Sequence, residues 1–155
     1  MNIREAREEG RKGVMQVAKS LGPGWFDKIA LNVSVPRDIK ALPTFVAEDG
    51  GRTLGFITYS KEGDKGDIKW IGVDPRFHRQ GIGSKLYAVV EEILKREGVR
   101  EVRVETVSVL TEYEPYERTR AFYEKMGFRV EKVEKTTSEE TGEGFHLATY
   151  LKVLH

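Results

Sequence analysis

The sequence has no cysteine among its 155 residues. That absence excludes disulfide bonds, thiolate-bound metals and a cysteine nucleophile. Only three histidines are present, and they lie far apart in the chain, so no metal site is expected. A chain without cysteine is compatible with a reducing compartment, and we expect a cytoplasmic protein.

Long apolar runs and an excess of one charge sign are also missing. The sequence contains no stretch of about 18 apolar residues, the length that a membrane-spanning helix needs. The opening MNIREAREEGRKG lacks the apolar segment of a secretory signal. The 26 basic and 25 acidic residues leave a net charge of +1, which disfavours a nucleic-acid partner. Charge of both signs is plentiful, since the charged fraction is 33%, against roughly 25% in an average domain. Together with the missing cysteine, this predicts a thermostable protein, because surface ion pairs multiply in heat-adapted proteins.

Hydrophobic periodicity and turn signals predict two kinds of element in the first half of the chain. A helix over 3–20, interrupted by two glycines, and one or two short helices over 22–43 come first. A strand meander over 45–73 follows, with a hairpin at Asp49-Gly50-Gly51, which is a strong turn signal.

The second half of the chain opens with the clearest pattern in the sequence. Apolar residues recur at three- and four-residue spacing from Ile82 to Leu94, and Gly98 is placed to cap the helix. A strand–helix–strand step over 68–108 requires a right-handed parallel crossover. We therefore expect an α/β fold, a mixed twisted sheet with helices on both faces. The remaining predicted elements are a strand over 101–108, a helix over 118–126, and strands over 128–133 and 145–153.

The most informative stretch lies where the strand ending in Val73-Asp74-Pro75 passes into that helix. Its loop, HRQGIGS over 78–84, places two glycines at the helix start. The first turn of a helix carries unpaired N–H groups and the positive end of the helix dipole. Because glycines leave room for a close approach, the loop can wrap a phosphate or pyrophosphate. The glycines could also simply form a tight strand-to-helix turn.

Two other phosphate-binding loops do not fit this stretch. A dinucleotide fingerprint needs a third glycine where Leu86 stands. A P-loop needs Gly-Lys followed by Ser or Thr, whereas the order here is Gly83-Ser84-Lys85.

The segment HRQGIG, which follows VDP and opens an amphipathic helix, resembles the pyrophosphate-binding signature of the GNAT superfamily of acetyl-CoA-dependent N-acetyltransferases, Gln/Arg-x-x-Gly-x-Gly/Ala. The later RTRAFYEKMGF resembles the second recurring segment of that family, a helix with a tyrosine followed by Gly-Phe. The resemblance implies one domain over 1–155, in which 1–42 form a helical acceptor-site region and 43–153 the acetyl-CoA-binding core. Two positions depart from the pattern: His78 replaces Gln or Arg, and Tyr116 replaces a frequent Asn.

The resemblance also implies acetyl-CoA as co-substrate and no metal. Backbone N–H groups of Arg79–Ser84 would hold the pyrophosphate. The pantetheine arm would pair with the main chain of Ile71 and Val73, where two central strands splay apart, and an N–H near Val73 would stabilise the developing oxyanion. The residues expected at the cofactor are Ile71, Gly72, Val73, His78, Arg79, Gln80, Gly81, Ile82, Gly83, Ser84, Tyr116, Phe122 and Tyr123.

A direct transfer to an amine needs a group that accepts the proton of the amine. Glu105, in the middle of the strand after the crossover, is the first candidate, and Glu112 and Glu114 are weaker ones. Glu105 could equally be a solvated or salt-bridged strand residue near Arg103.

Tyr123 is the candidate acid that faces the leaving thiolate, a role carried over from the resemblance. Phe122 and Met126 are four residues apart and are expected to face the core, so Tyr123 would point about 100° away toward the sulfur. The alternative is a tyrosine that only packs its ring and bonds a backbone carbonyl.

The sequence is compatible with more than one functional hypothesis. The first is an N-acetyltransferase acting on a small-molecule or protein amine, and the second is a catalytically weak acyl-CoA-binding sensor or scaffold. A role in ribosomal or tRNA modification is disfavoured by the balanced charge. Trp25 and Phe26 could line the acceptor pocket or cap the core. A homodimer is common in the resembling family and stays open here.

Overall fold

A computed structural model describes residues 1–22, 24–107, 114–137 and 142–155, without the side chains of 107 and 114–116. Seven strands form one sheet in the order β1-β2-β3-β4-β5-β7-β6. β4 and β5 pair in parallel, and the other neighbouring strands pair antiparallel. The strands are β1 Asn2–Glu5, β2 Thr44–Asp49, β3 Arg52–Glu62, β4 Lys65–Val73, β5 Glu101–Val107, β6 Arg129–Thr137 and β7 Gly144–Val153. The helices are α1 Arg11–Ser20, α2 Val35–Ala41, α3 Ile82–Arg96 and α4 Glu114–Lys125, and a π-helical turn, Ala30–Ser34, leads into α2.

Helices cover both faces of the sheet, as the sequence predicts. On one face the apolar stripe of α3, with Leu86 and Val90, packs into a core that also contains Phe128 and Tyr150. On the other face Val14 and Val17 of α1 and Ile39 of α2 pack against Phe56. The mixed α/β fold expected from the pattern is confirmed.

The first residues do not form the helix that the sequence predicts over 3–20. Asn2–Glu5 is an edge strand that pairs with β2, with Ile3 opposite Ala47 and Arg4 opposite Val46. Arg4 also forms an ion pair with Glu48. The helix begins only at Arg11, because pairing with a distant strand outweighs the local helical tendency of EAREEGRK.

Other predicted boundaries shift by a few residues. The Asp49-Gly50-Gly51 hairpin is confirmed, and both glycines have positive φ, 57° and 79°. β4 starts at Lys65 and not at Ile68, after a turn at Gly63 with φ 60°. α4 starts at Glu114, earlier than the predicted 118.

A bulge in β4 opens the sheet between its two parallel strands. Thr58 of β3 lies opposite Trp70 and Tyr59 opposite Ile68, so Lys69 is the extra residue. The parallel ladder of β4 with β5 ends at the same place, with Ile68 opposite Val104. A bulge bends a strand and increases its local twist. Within the described strands, residues 69–73 and 105–107 therefore flank a space without ladder pairs, which we call the inter-strand gap.

Candidate cofactor and acceptor site

The end of β4 turns its main-chain groups into the inter-strand gap. The N–H of Asp74 donates to the carbonyl of Leu54 at 2.8 Å, and Val73 lies opposite Gly55. In an antiparallel ladder that bond flanks a non-hydrogen-bonded pair, so Val73 directs its N–H and C=O away from β3. Ile71, two residues earlier, has the same orientation. A polar linear ligand in the gap could thus pair with this edge as an added strand would.

The loop that follows β4 ends in an uncapped helix start. Arg79 and Gly81 both have positive φ, 66° and 75°, and no side chain caps α3 at Gly81. The first helical bond there runs from the N–H of Lys85 to the carbonyl of Gly81, 3.1 Å. A Cβ atom on Gly81 would meet nothing within 4 Å, so the space before it is open. The amides of Ile82, Gly83 and Ser84 precede that first bond and point toward this space with the positive end of the dipole.

The two glycines of the loop serve different purposes. Gly81 supplies the left-handed conformation, whereas a Cβ on Gly83 would lie 3.2 Å from Cε1 of Phe122 and 3.8 Å from Cγ2 of Val73. A side chain at position 83 would therefore crowd Phe122 where α4 approaches the start of α3. The alternative of a purely structural turn therefore accounts for part of this motif, while the open amides remain available to a ligand.

Asp74 holds the turn between β4 and the loop. Its carboxylate accepts hydrogen bonds from the backbone N–H of Arg76 at 3.0 Å and from the guanidinium at 2.8 Å and 3.1 Å. These bonds lower the pKa of Asp74 despite its burial. The Arg76 guanidinium also lies 5.6 Å from the ring centre of Phe77, and that of Arg52 lies 5.9 Å from it on the same ring. Apart from the Asp-Pro pair, no sequence pattern predicts this network.

His78 contacts both the end of β4 and the N-terminal region. Its Nε2 lies 2.6 Å from the carbonyl oxygen of Val73. Its ring meets Trp25 edge to face, with 5.4 Å between centroids and 85° between planes. Arg79 and Gln80, which follow it, are exposed.

Gly72, which is expected at the cofactor, is buried on the face of β4 that α1 and α2 cover. A Cβ there would lie 2.6 Å from Cδ1 of Leu21 and 3.6 Å from Cζ of Phe26. Leu21 and Phe26 therefore lie directly over the end of β4, and Phe26 packs on Trp70 at 5.4 Å. A glycine inside a strand often marks such a close approach, and this signal was available in the sequence.

Phe122 and Met126 pack against the core as predicted, but Tyr123 is buried more deeply than either. Only 5% of Tyr123 is exposed, and its ring packs on Phe128 at 5.7 Å and on Tyr150 at 6.3 Å. Phe122 and Met126 are half-buried at the edge of the core. Burial raises the pKa of Tyr123 well above its ordinary value, and no charge or hydrogen-bond partner among the described residues contributes to that shift.

Glu105 lies just beyond the last parallel pair of β4 and β5, at the inter-strand gap. It is exposed and stands opposite the buried Thr149. Val104 faces the core on the α3 side, so Glu105 faces the side of α1 and α2. Arg103 lies 3.9 Å from Asp67, and Glu105 takes part in none of the ion pairs of the described residues. The weaker base candidate Glu112 and the side chains of Glu114 and Tyr116 lie outside the described part.

Two further properties concern the whole described part of the chain. None of its helices is long and apolar enough to span a membrane. Within residues 1–22, 24–107, 114–137 and 142–155, no group of three or more His, Asp or Glu side chains is placed to hold a metal ion.

Comparisons with known proteins agree with this architecture. A family model for an acetyltransferase (GNAT) domain matches residues 41–130. The fold is similar to that of an N-acetyltransferase from Staphylococcus aureus Mu50, at 19% identity and a TM-score of 0.75, over 99% of this chain and 98% of that one. It is also similar to the ribosomal-protein-S18-alanine N-acetyltransferase from Escherichia coli, at 17% identity and a TM-score of 0.75, over 98% of this chain and 92% of that one. Ard1 from Thermoplasma volcanium is similar at 22% identity and a TM-score of 0.75, over 99% of this chain and 97% of that one. No curated protein sequence matches the chain significantly.

Proposed function

Since the chain belongs to the GNAT acetyltransferase family, we propose that it transfers an acetyl group from acetyl-CoA directly to an amine. The amine would attack the thioester carbonyl in the inter-strand gap, so that a C–N bond forms while the C–S bond breaks. The amine gives up one proton and the departing sulfur takes up one. The observation that carries the proposal is that one short loop joins the strand edge at the gap, which ends at Val73, to the uncapped start of α3 at Ile82.

The main chain supports both ends of the co-substrate. The main-chain groups of Ile71 and the carbonyl of Val73 suit the amides of a pantetheine arm, and the N–H of Val73 suits the developing oxyanion. The amides of Ile82, Gly83 and Ser84, with the helix dipole, suit a pyrophosphate. Arg79 and Gln80 stand exposed at the mouth of this loop.

Glu105 is our proposal for the residue that takes the amine proton. An amine of ordinary pKa near 10.4 is neutral in only about 1 molecule in 2,500 at pH 7, a cost of about 4.6 kcal/mol. A carboxylate reduces this cost when it accepts the proton directly or through water. Glu105 is exposed, engaged in no ion pair of the described residues, and located beside the gap on the side of Leu21 and Phe26.

Tyr123 is our proposal for the group that faces the leaving sulfur. Burial raises its pKa, so the phenol stays protonated throughout the neutral range. Full transfer of its proton to a thiolate is therefore uphill, and its contribution is a hydrogen bond that strengthens as charge builds on sulfur. Phe122, the neighbouring residue, contacts the start of α3 beside the proposed pyrophosphate site.

The acceptor is an amine of a small molecule or of a protein. The Escherichia coli neighbour is named for the alanine of a ribosomal protein, which makes a peptide N-terminus one natural choice. We propose that residues 1–42 build the acceptor side, because Trp25 and Phe26 lie next to the end of β4. The cytoplasmic location, the thermostability and a homodimer stay predictions.

The experiment that separates an enzyme from a sensor is an assay of thiol release with a panel of amines. The panel contains a short peptide with a free N-terminal alanine, the same peptide with its N-terminus blocked, a polyamine and free amino acids. An enzyme releases CoA faster in the presence of at least one free amine and yields the acetylated product by mass spectrometry. Binding of CoA without amine-dependent release of its thiol would favour the hypothesis of a catalytically weak acyl-CoA-binding sensor.

A further inference from the structure

His78 is the residue that contacts both sides of the proposed reaction site. A carbonyl oxygen can only accept a hydrogen bond, so the 2.6 Å contact requires that Nε2 of His78 carries a hydrogen and donates it to Val73. The same ring presents itself to Trp25 at 85°. The imidazole is half-buried between these two contacts.

The first contact is made to the cofactor side of the site. Val73 turns its carbonyl into the inter-strand gap, where no strand partner of the described chain takes it up. The same peptide is held from the side of β3, because the N–H of Asp74 donates to Leu54. The hydrogen bond from His78 therefore ties the loop to a peptide whose position is already set by the sheet.

The second contact is made to the acceptor side. Trp25 belongs to the segment that lies over Gly72, and it packs against the core beneath α1 and α2. An edge-to-face aromatic pair is worth about 0.5–1.5 kcal/mol beyond its buried area. It defines the position of the indole relative to the imidazole, and thereby relative to Val73.

We propose that His78 is a positioning residue that sets the acceptor wall at Trp25 relative to the cofactor strand at Val73. The inference rests on the proposed function, because the two sides matter only if acetyl-CoA and an amine meet between them. A histidine that merely stabilises the loop would, on removal, weaken both substrates together. A positioning histidine has two separable contacts.

Two substitutions separate these contacts. His78→Gln keeps a side-chain N–H that can reach the Val73 carbonyl but removes the ring from Trp25. We expect its KM for the amine to rise at least fivefold, while its KM for acetyl-CoA stays within twofold. His78→Phe keeps an aromatic ring for Trp25 but cannot donate a hydrogen bond to Val73. We expect its KM for acetyl-CoA to rise at least fivefold, while its KM for the amine stays within twofold. His146→Gln, in β7 opposite Lys135, is the matched control and should change neither constant.

Tryptophan fluorescence gives a reading that does not depend on acetyl transfer. Titration with CoA should change the emission of the parent protein and leave that of Trp25→Phe unchanged, which assigns the signal to Trp25. In His78→Gln, CoA should still bind by calorimetry but the emission change should disappear. If no amine is acetylated, the proposed function fails while this titration still tests His78.

Two results would overturn the inference. One is an unchanged fluorescence response in His78→Gln with CoA bound. The other is an equal rise of both KM values in the two variants, since that pattern marks a residue that only stabilises the loop.

Discussion

Gly83 at the start of α3 and Phe122 in α4 are in such close contact that a Cβ atom on the glycine would lie 3.2 Å from the phenyl ring. This contact joins the two motifs by which the chain resembles its family, although 39 residues separate them in sequence. The loop that offers its amides to a ligand is thus supported from behind by the helix that carries Tyr123.

Gly83→Ala should lower the free energy of unfolding by about 1–3 kcal/mol, because the added methyl group overpacks the contact with Phe122. Phe122→Leu in the same chain should recover part of that loss, so the double-mutant cycle should show coupling. Urea unfolding of the parent, the two single variants and the double variant measures this coupling.

Gly81→Ala is the control: the positive φ at this position predicts a loss of about 1–2 kcal/mol that Phe122→Leu does not relieve. Additive effects of Gly83→Ala and Phe122→Leu would contradict the contact.

Tyr123→Phe should reduce kcat at least tenfold while the Kd for CoA stays within twofold. The substitution keeps the ring contacts with Phe128 and Tyr150 and removes only the hydroxyl. Because these ring contacts are kept, stability should change by no more than the roughly 1 kcal/mol of one hydrogen bond. Tyr87→Phe is the matched control. It removes a hydroxyl that donates to Glu91 at 3.2 Å, so it should cost about 1 kcal/mol of stability and leave kcat unchanged. An unaltered kcat in Tyr123→Phe would make Tyr123 a packing residue.

Asp74 should contribute to the loss of stability in acid. Its hydrogen bonds from Arg76 lower its pKa in the folded state, so its contribution is complete above the unfolded value of about 3.9. As the pH falls below about 4, the unfolded chain binds the proton first and the contribution is lost. Asp74→Asn should therefore flatten the acid limb of a plot of unfolding free energy against pH. The exposed Asp64→Asn serves as control, and identical acid limbs for Asp74→Asn and the parent would refute this role.

CoA should raise the melting temperature through mass action. At 100 times its Kd, a ligand of the native state adds about 2.7 kcal/mol, which corresponds to a shift of roughly 5 to 11 °C for a chain of this size. Adenosine 3′,5′-bisphosphate, which lacks the pantetheine arm, should give a smaller shift at equal concentration. A shift with RNA and none with CoA would favour the nucleic-acid reading instead.

The long helix was predictable because its signal is local. Every apolar position from Ile82 to Leu94 repeats the same spacing, and Gly98 ends the pattern in a left-handed conformation, φ 83°. The loop before it was predictable for the same reason. Both features need only neighbouring residues to be recognised.

The missed features depend on partners far away in the chain. β1 consists of four residues, too short for a periodic signal, and it forms by pairing with β2 more than 40 residues later. The bulge at Lys69 becomes apparent only when the register with β3 is known. The deep burial of Tyr123 likewise depends on Tyr150 of β7, which no pattern within α4 reveals.

The central claim is that the phosphates of CoA bind at the start of α3. The chain has two glutamines, and both are exposed: Gln80 lies in this loop, and Gln16 lies on α1, which covers the opposite face of the sheet. Either one changed to Glu adds the same negative charge with almost no change in shape.

Calorimetric titration of CoA into Gln80→Glu, Gln16→Glu and the parent protein tests the claim most directly. A negative charge within several ångströms of the pyrophosphate should cost about 1.4 kcal/mol or more, so Gln80→Glu should bind CoA at least tenfold more weakly. Gln16→Glu should bind like the parent. Equal affinity of all three proteins for CoA would contradict the account.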